Sequence, residues 1–436
     1  IEDEIPFEVP EGWAWCKLND IYNFIDYRGA TPTKITNGIP LVTAKNVKSG
    51  YIDYTIDDYI SEEEFKERQQ RGISKKGDIL FTTEAPLGNA ALADMEKFSA
   101  GQRLITFQQY GSKNELINYV MLMFILSDFF QQQLYVNKTG STVAGIKAAI
   151  LKTLWIPVPP YNEQLRISNT LKSAINLIDS ISKNKEILST SISNTKSKIL
   201  DLAIRGKIVP QDPNDEPASV LLERIRAEKE ELIKQGKIKR DKKESVIFKG
   251  DDNSYYGIHL PDSWNWASLR EIALSISDGS HNPPPNNGSG IPLLSAANIN
   301  DNSILMNEIS RWITNEEWKI ENQRTNIEVG DVLLTIVGSI GRSAVVQNNN
   351  HFALQRSVAV IKPCLINPLY LMHIVQSPQI QKWLTDNSKG TAQKGIYLNA
   401  LSLMIIPIPP LAEQARIVEH IHIAYKHLDL ISNALL

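Results

Sequence analysis

Cysteine is almost missing: Cys16 and Cys364 are the only two in 436 residues. Two thiols build neither a disulfide framework nor a four-thiolate zinc site, so a reducing compartment fits best and a cytoplasmic location is expected. Long apolar runs are missing too. The longest, Tyr119 to Leu126, is far too short to span a bilayer, and no signal peptide is recognisable. Nor is there a surplus of positive charge. The formal net charge of −3 does not announce a nucleic-acid binder and weighs against one. The length predicts two or three domains, each with its own core. Because the chain opens on Ile1, an upstream segment is expected to have been removed.

Catalytic motifs are absent as well. Asn282-Pro283-Pro284 resembles the start of the Asn-Pro-Pro-aromatic tetrapeptide of amino-methyltransferases, but Pro285 stands where an aromatic would stack on the target base. No glycine-rich methyl-donor loop precedes it, and no Gly-x-x-x-x-Gly-Lys-Ser/Thr loop offers a phosphate cradle. His420, His422 and His427 crowd one helix, yet only His420 and His427 share a face and no zinc-enzyme spacing appears. They read as surface or seam-flanking residues. No catalytic residue and no metal ligand is expected.

What the chain does contain is itself, twice. Pro10-Glu11-Gly12-Trp13-Ala14-Trp15 returns as Pro261-Asp262-Ser263-Trp264-Asn265-Trp266, and Gly38-Ile39-Pro40-Leu41 with Asn46 returns as Gly290-Ile291-Pro292-Leu293 with Asn298. Gly77-Asp78-Ile79-Leu80 answers to Gly330-Asp331-Val332-Leu333, Gln102-Arg103 to Gln355-Arg356, and Gly145-Ile146 to Gly395-Ile396. The offset stays between 250 and 253 throughout. A nearly constant offset means two homologous domains with small compensating insertions.

Each copy reads as α+β. Strand-like runs at Ile39–Val42 and Asp78–Thr82 are bounded by turn residues, and a helix is expected over Glu115–Leu134 and Pro368–Leu384. The alternating tryptophans, Trp13, Trp15, Trp264 and Trp266, are read as packing residues. A polar loop follows each helix, and then Ile156-Pro157-Val158-Pro159-Pro160 or Ile406-Pro407-Ile408-Pro409-Pro410, with Glu-Gln and Arg three, four and six residues on. Prolines fix a helix entry without losing helical hydrogen bonds. From Ile167, apolar residues step by four and three through Leu171, Ala174, Ile178, Ile181, Leu188, Ile192, Ile199 and Leu202, interrupted only by Lys185 and Thr195. Ile417, Ile421, Ala424, Leu428, Ile431 and Leu435 repeat this stripe, which is narrow enough for helix pairing. Gly206 and Pro210 end the first helix. The second stripe ends at Leu436, well short of its counterpart: with native ends the spacer is expected to be lopsided, and with trimmed ends missing residues would complete the pseudo-two-fold arrangement. Ala218–Gln235 reads as helical and Lys234–Glu244 as an exposed connector. The organisation expected is a first domain over 1–155, a helical spacer and connector over 156–250, a second domain over 251–405 and a terminal helix over 406–436.

Side chains suited to nucleic acid recur in both copies. The first offers Arg28, Thr31, Thr33, Lys34, Lys45, Asn46, Asn89, Gln102, Arg103, Lys138, Ser141, Thr142 and Lys147. The second offers His281, Asn282, Asn298, Arg342, Gln355, Arg356, Lys389, Thr391, Gln393 and Lys394. Arg matches guanine, and Asn or Gln matches adenine, through paired hydrogen bonds. Lys, Ser, Thr and loop amides suit phosphate. Gln102-Arg103 and Gln355-Arg356 recur at equivalent positions. Domains reading different bases need not share base contacts, so these pairs are read as scaffold or phosphate contacts.

Several of these stretches carry a family resemblance. Arg28-Gly29-Ala30-Thr31-Pro32, Asp278-Gly279-Ser280-His281, the Gly-Asp-Ile/Val-Leu strands, the Pro-Pro-x-x-Glu-Gln helix entries and Ile204-Arg205-Gly206-Lys207-Ile208-Val209-Pro210 are similar to those of type I restriction–modification specificity subunits. The resemblance spans essentially the whole chain. It implies two α+β target recognition domains held apart by an antiparallel pair of long coiled-coil-like helices, each domain reading half of a split, asymmetric DNA site. It also implies that the helices dock two modification subunits, which use S-adenosylmethionine, and that two restriction subunits with ATP and Mg complete the assembly. This chain would then bind no cofactor of its own. The alternatives are a self-sufficient methyltransferase or nuclease, and a protein-interaction scaffold.

Overall fold

The computed structural model describes residues 6–27, 31–55, 57–110, 116–140, 144–240, 254–390 and 394–435. It divides into two compact units, Ile1–Ser182 and Lys183–Leu436, with the division falling inside one helix, Tyr161–Ile204.

In the first unit a four-stranded antiparallel sheet runs in the order Tyr22–Asp26, Leu104–Gln109, Ile79–Thr82, Ala90–Leu92. A three-stranded sheet places Ile39–Val42 between Tyr59–Ile60 and Ser99–Ala100. A third, two-stranded ladder pairs Ala14–Lys17 with Trp155–Val158, so the start of the domain is tied to its last strand. The second unit repeats all three. Its four-stranded sheet is Ala273–Asp278, Val358–Pro363, Val332–Thr335, Ser343–Val345, and Asn265–Ser268 pairs with Ile405–Ile408. Both central strands of the Gly-Asp motif, Ile79–Thr82 and Val332–Thr335, are buried along their whole length. Their unbroken apolar character reflects sheet faces covered on both sides.

Repetition in the sequence therefore marks supports. Asp78 accepts from Lys75 N at 2.8 Å and Gln108 at 2.9 Å, while Asp331 accepts from Glu328 N and Lys362, both at 2.8 Å. Gln164 is buried. It accepts from Ile117 N at 2.8 Å and donates to Pro159 O at 2.9 Å, thereby tying the entry of the long helix to the N-cap of the helix Asn118–Leu126. Gln414 makes the same two bonds to Asn367 N and Pro409 O, at 2.9 and 3.1 Å. That geometry is the physical content of the Pro-Pro-x-x-Glu-Gln motif.

Two expectations need correction. The helix expected over Glu115–Leu134 is two helices, Asn118–Leu126 and Asp128–Val136, because Ser127 leaves helical geometry and caps the second. Pro368–Leu384 likewise breaks into Pro368–Val375 and Pro378–Asp386, since Pro378 lacks the N–H an interior turn requires. The seam is also discontinuous. Ile178, Ile181 and Leu188 are exposed, whereas Ile192, Leu200, Ala203 and Ile204 are buried. Ile417 and Ile421 join Leu200, Ala203 and Ile204 in one core cluster of the second unit. There the helix end meets a domain core as well as a helix, so it buries a wider face than the stripe Ile199–Leu202 foretold. The pairing with Leu411–Asn433 is antiparallel: Lys196 meets Asp429, while Gln211, beyond the helix end, meets Glu413. Gly206, at φ +65°, ends the long helix, with Lys207 N bonding Leu202 O and Gly206 N bonding Ala203 O. This is the doubled left-handed C-cap, and a Cβ there would lie 2.6 Å from Pro261 Cγ.

Trp264 and Trp266 are buried as expected; Trp13 and Trp15 are half-buried. His420, His422 and His427 are exposed. Among the described residues no group of three or more His, Cys, Asp or Glu is placed to hold a metal, and no helix is long and apolar enough to cross a membrane.

Candidate nucleic-acid interface

In each unit, loops from distant parts of the chain meet at the end of the four-stranded sheet. In the first unit Thr31 Oγ1 donates to Gln102 Oε1 at 3.2 Å, and Arg103 pairs with Glu84 at 3.0 Å. Glu84 bridges to Gly145, and Gly145 bridges in turn to Thr139. Thr83 N and Oγ1 both donate to Arg103 O, at 3.0 and 3.1 Å. Thr31, Gln102, Arg103, Lys138 and Lys147 thus share one exposed region, with Lys138 Nζ over the Tyr135 ring at 3.6 Å. Arg28, Ser141 and Thr142 lie outside the described residues.

The second unit builds the same arrangement. Ser280 pairs in parallel with Gln355, through Ser280 N to Leu354 O at 2.7 Å and Arg356 N to Ser280 O at 2.9 Å. The approach is so close that a Cβ on Gly279 would lie 2.1 Å from Leu354 O, which accounts for glycine in Asp278-Gly279-Ser280. Val337 and Lys389 each bridge to Gly395. Between these loops opens a cleft of about 520 Å³, lined by Asp278, His281, Arg324, Arg356, Lys389 and Tyr397 among others. Asp278 organises one wall: its carboxylate binds His281 Nε2 at 2.8 Å and the Arg324 guanidinium, and its carbonyl accepts from Arg324 Nε at 2.9 Å. Lys394 is exposed beside the cleft loop, and Asn282 is exposed without a side-chain partner among the described residues. Thr391 and Gln393 lie outside the described residues.

Other candidates belong elsewhere. Asn46 and Asn298 are buried, 3% and 4% exposed. Asn46 accepts from Thr43 N at 2.9 Å and donates to Asp53 O at 3.0 Å; Asn298 accepts from Ser295 N at 3.0 Å and donates to Glu308 O at 2.9 Å. Their amides hold a loop in place instead of facing a base edge, which corrects their expected role. Asn89 donates to Val47 O at 3.0 Å and stands with that loop; its counterpart Arg342 has an exposed side chain, and its backbone N–H bonds Thr335 Oγ1 at 3.0 Å. Lys45 is exposed on the Asn46 loop. Lys34 is paired with Asp58 at 2.6 Å, and Thr33 N donates to Glu64 at 3.0 Å.

The type I restriction modification DNA specificity domain matches this chain twice, over residues 10–189 and 261–435. The chain belongs to that family. The EcoBI specificity subunit of Escherichia coli is 23% identical over 432 residues, covering 97% of this chain and 81% of that protein. The fold is shared with the HsdS subunit from Thermoanaerobacter tengcongensis, with TM-score 0.55, 17% identity, and 99% and 93% of the two chains covered. A chain from a structure of complex assembly and conformational transition in a type I R-M system gives TM-score 0.61 at 18% identity, with 99% and 94% covered. The duplication read from the sequence is thus the family's own domain present twice.

For a specificity-family chain, sequence reasoning overlooked two arginines. Arg71 and Arg324 are equivalent, and each donates to the carbonyl of the last residue of the corresponding strand, Asp26 or Asp278, at the edge of the loop cluster. Their shared offset of 253 was the available signal, the same that pairs the Gly-Asp motifs. Tyr397, 71% exposed beside the cleft, was overlooked because Lys147 holds the equivalent place in the first domain.

Proposed function

We propose that this chain is the sequence-reading subunit of a type I restriction–modification complex, in which each domain reads one half of a bipartite DNA site. One observation carries the reading: the same cluster of loops, with Gln-Arg at its centre and a lysine-bearing Gly loop beside it, recurs in both copies of the family's domain. Cationic and amide side chains at such a cluster suit phosphates and base edges. The chain would work without chemistry of its own. S-adenosylmethionine, ATP and Mg would act on two modification and two restriction subunits, docked through the helices, in the cytoplasm. Phosphate affinity contributed by those partners would make the net charge of −3 tolerable.

Binding of the purified chain to duplex DNA should weaken steeply with salt, linearly in log–log form. A salt-independent interaction would favour a protein scaffold. With labelled S-adenosylmethionine and no modification subunit, the chain should transfer no methyl group. Transfer by the pure chain would overturn the division of labour.

A further inference from the structure

The two loop clusters differ at one position that their common geometry makes comparable. Glu84 stands in the first, and Val337, 253 residues on, in the second. Both bridge to the equivalent glycine, Gly145 or Gly395. A Cβ on Gly145 would lie 3.4 Å from Glu84 Cβ and 3.7 Å from its Oε2, while one on Gly395 would lie 3.4 Å from Val337 Cγ2. The frame is shared; the side chain is not.

The consequence falls on the neighbouring arginine. Arg103 Nε lies 3.0 Å from Glu84 Oε1, with the two side chains 55% and 42% exposed. Arg103 also holds a left-handed backbone, φ +70°, which side-chain-bearing residues rarely adopt, and both Thr83 donors fasten its carbonyl. Arg356 meets no carboxylate among the described residues. An ion pair this exposed adds little stability, and a carboxylate on a surface that meets phosphates repels them. Orientation is what the pair does supply. The guanidinium is planar, so holding Nε fixes its plane and leaves both terminal nitrogens as a directed fork. Guanine O6 and N7 accept such a fork in the major groove. An arginine free to swing is suited to phosphate instead.

We infer that Arg103, oriented by Glu84, reads a guanine in the first half-site, whereas Arg356 contacts phosphate. Arg103 is thereby a specificity-determining residue and Glu84 a positioning residue. This rests on the DNA-reading function proposed above.

The test is selection, by the assembled complex, from a duplex library randomised across the first half-site with the second held fixed. Wild type should demand guanine at one position. Arg103→Ala should relax that position roughly ten- to hundredfold, the range of one bidentate base contact. Glu84→Val and Glu84→Gln should relax the same position, and Arg103→Ala with Glu84→Val should be no worse than Arg103→Ala alone. Valine occupies the equivalent place in the second domain, so the frame tolerates it. Arg356→Ala should lower affinity for all sequences alike. Relaxation of different positions by the Glu84 and Arg103 variants would overturn the inference and make Glu84 itself a base reader. Uniform loss of affinity with preference intact would overturn it too. A wild-type complex without any sequence preference would instead overturn the DNA-reading function.

Discussion

Lys138, Lys147, Lys389 and Lys394 are exposed on the Gly-containing loops beside the two clusters. Replacing all four by glutamine should weaken binding to every duplex and leave base preference intact, since phosphate contacts carry affinity without sequence information. Removing one lysine–phosphate pair lowers the salt slope by about 0.9, so titrations at several salt concentrations should show it fall by up to about 4. An unchanged slope with altered preference would make these lysines base readers. A different residue governs stability. His373 is buried, and burial, opposed by a hydrogen bond with Gln376 and reinforced by His422, lowers its pKa from 6.5 to about 4. The unfolded chain then binds a proton that the fold refuses between those values. Stability is present above pH 6.5 and is lost as pH falls toward 4, by about 2 kcal/mol between pH 7 and pH 5. Chemical unfolding at both pH values should show that loss, and His373→Leu should remove it. At this scale the sequence made repeated residues visible without their roles. Asn46 and Asn298 stood out as clearly as Gln102, but only burial separates a loop brace from an exposed amide.

The long helix was legible end to end, including its Gly206 stop, because a seven-residue stripe and a Gly-x-x-x-Pro terminus are local signals. What the stripe could not show is which part of it has a partner. Leu200, Ala203 and Ile204 are buried against the second domain and the C-terminal helix, while Ile178, Ile181 and Leu188 remain exposed on the middle turns. The breaks at Ser127 and Ser377-Pro378 went unread for a related reason: both lie inside apolar runs whose periodicity carries across the cap. The exposed middle turns permit a test. Adding one heptad after Lys185 keeps the stripe in register and lengthens the helix by about 10 Å. That length matches roughly three base pairs, at about 3.4 Å each. The unread gap between half-sites should widen, and each half-site should keep its sequence. Methylome sequencing of a host carrying the variant reads both; an active variant with an unchanged gap would mean the helix does not set the spacing. Gly206→Ala should also cost stability in thermal unfolding, by about 1 kcal/mol or more, because it adds a Cβ to a left-handed residue already against Pro261.

For the whole molecule, duplication was the most legible feature and net charge the least informative. A constant offset survives the drift of individual residues, so the two copies declared themselves through glycines, asparagines and prolines that turned out to be frame. Side chains that differ between the copies leave no such trace: Glu84 against Val337 and Lys147 against Tyr397 are differences on a common frame, and repetition cannot reveal a residue that is not repeated. The central claim is that each copy reads its own half-site independently. Exchanging residues 11–152 for the corresponding domain of another family member, in an otherwise intact complex, tests it by methylome sequencing. One half-site should change to that of the donor and the other should stay as it was. A change in both halves, or in neither while methylation persists, would contradict the account.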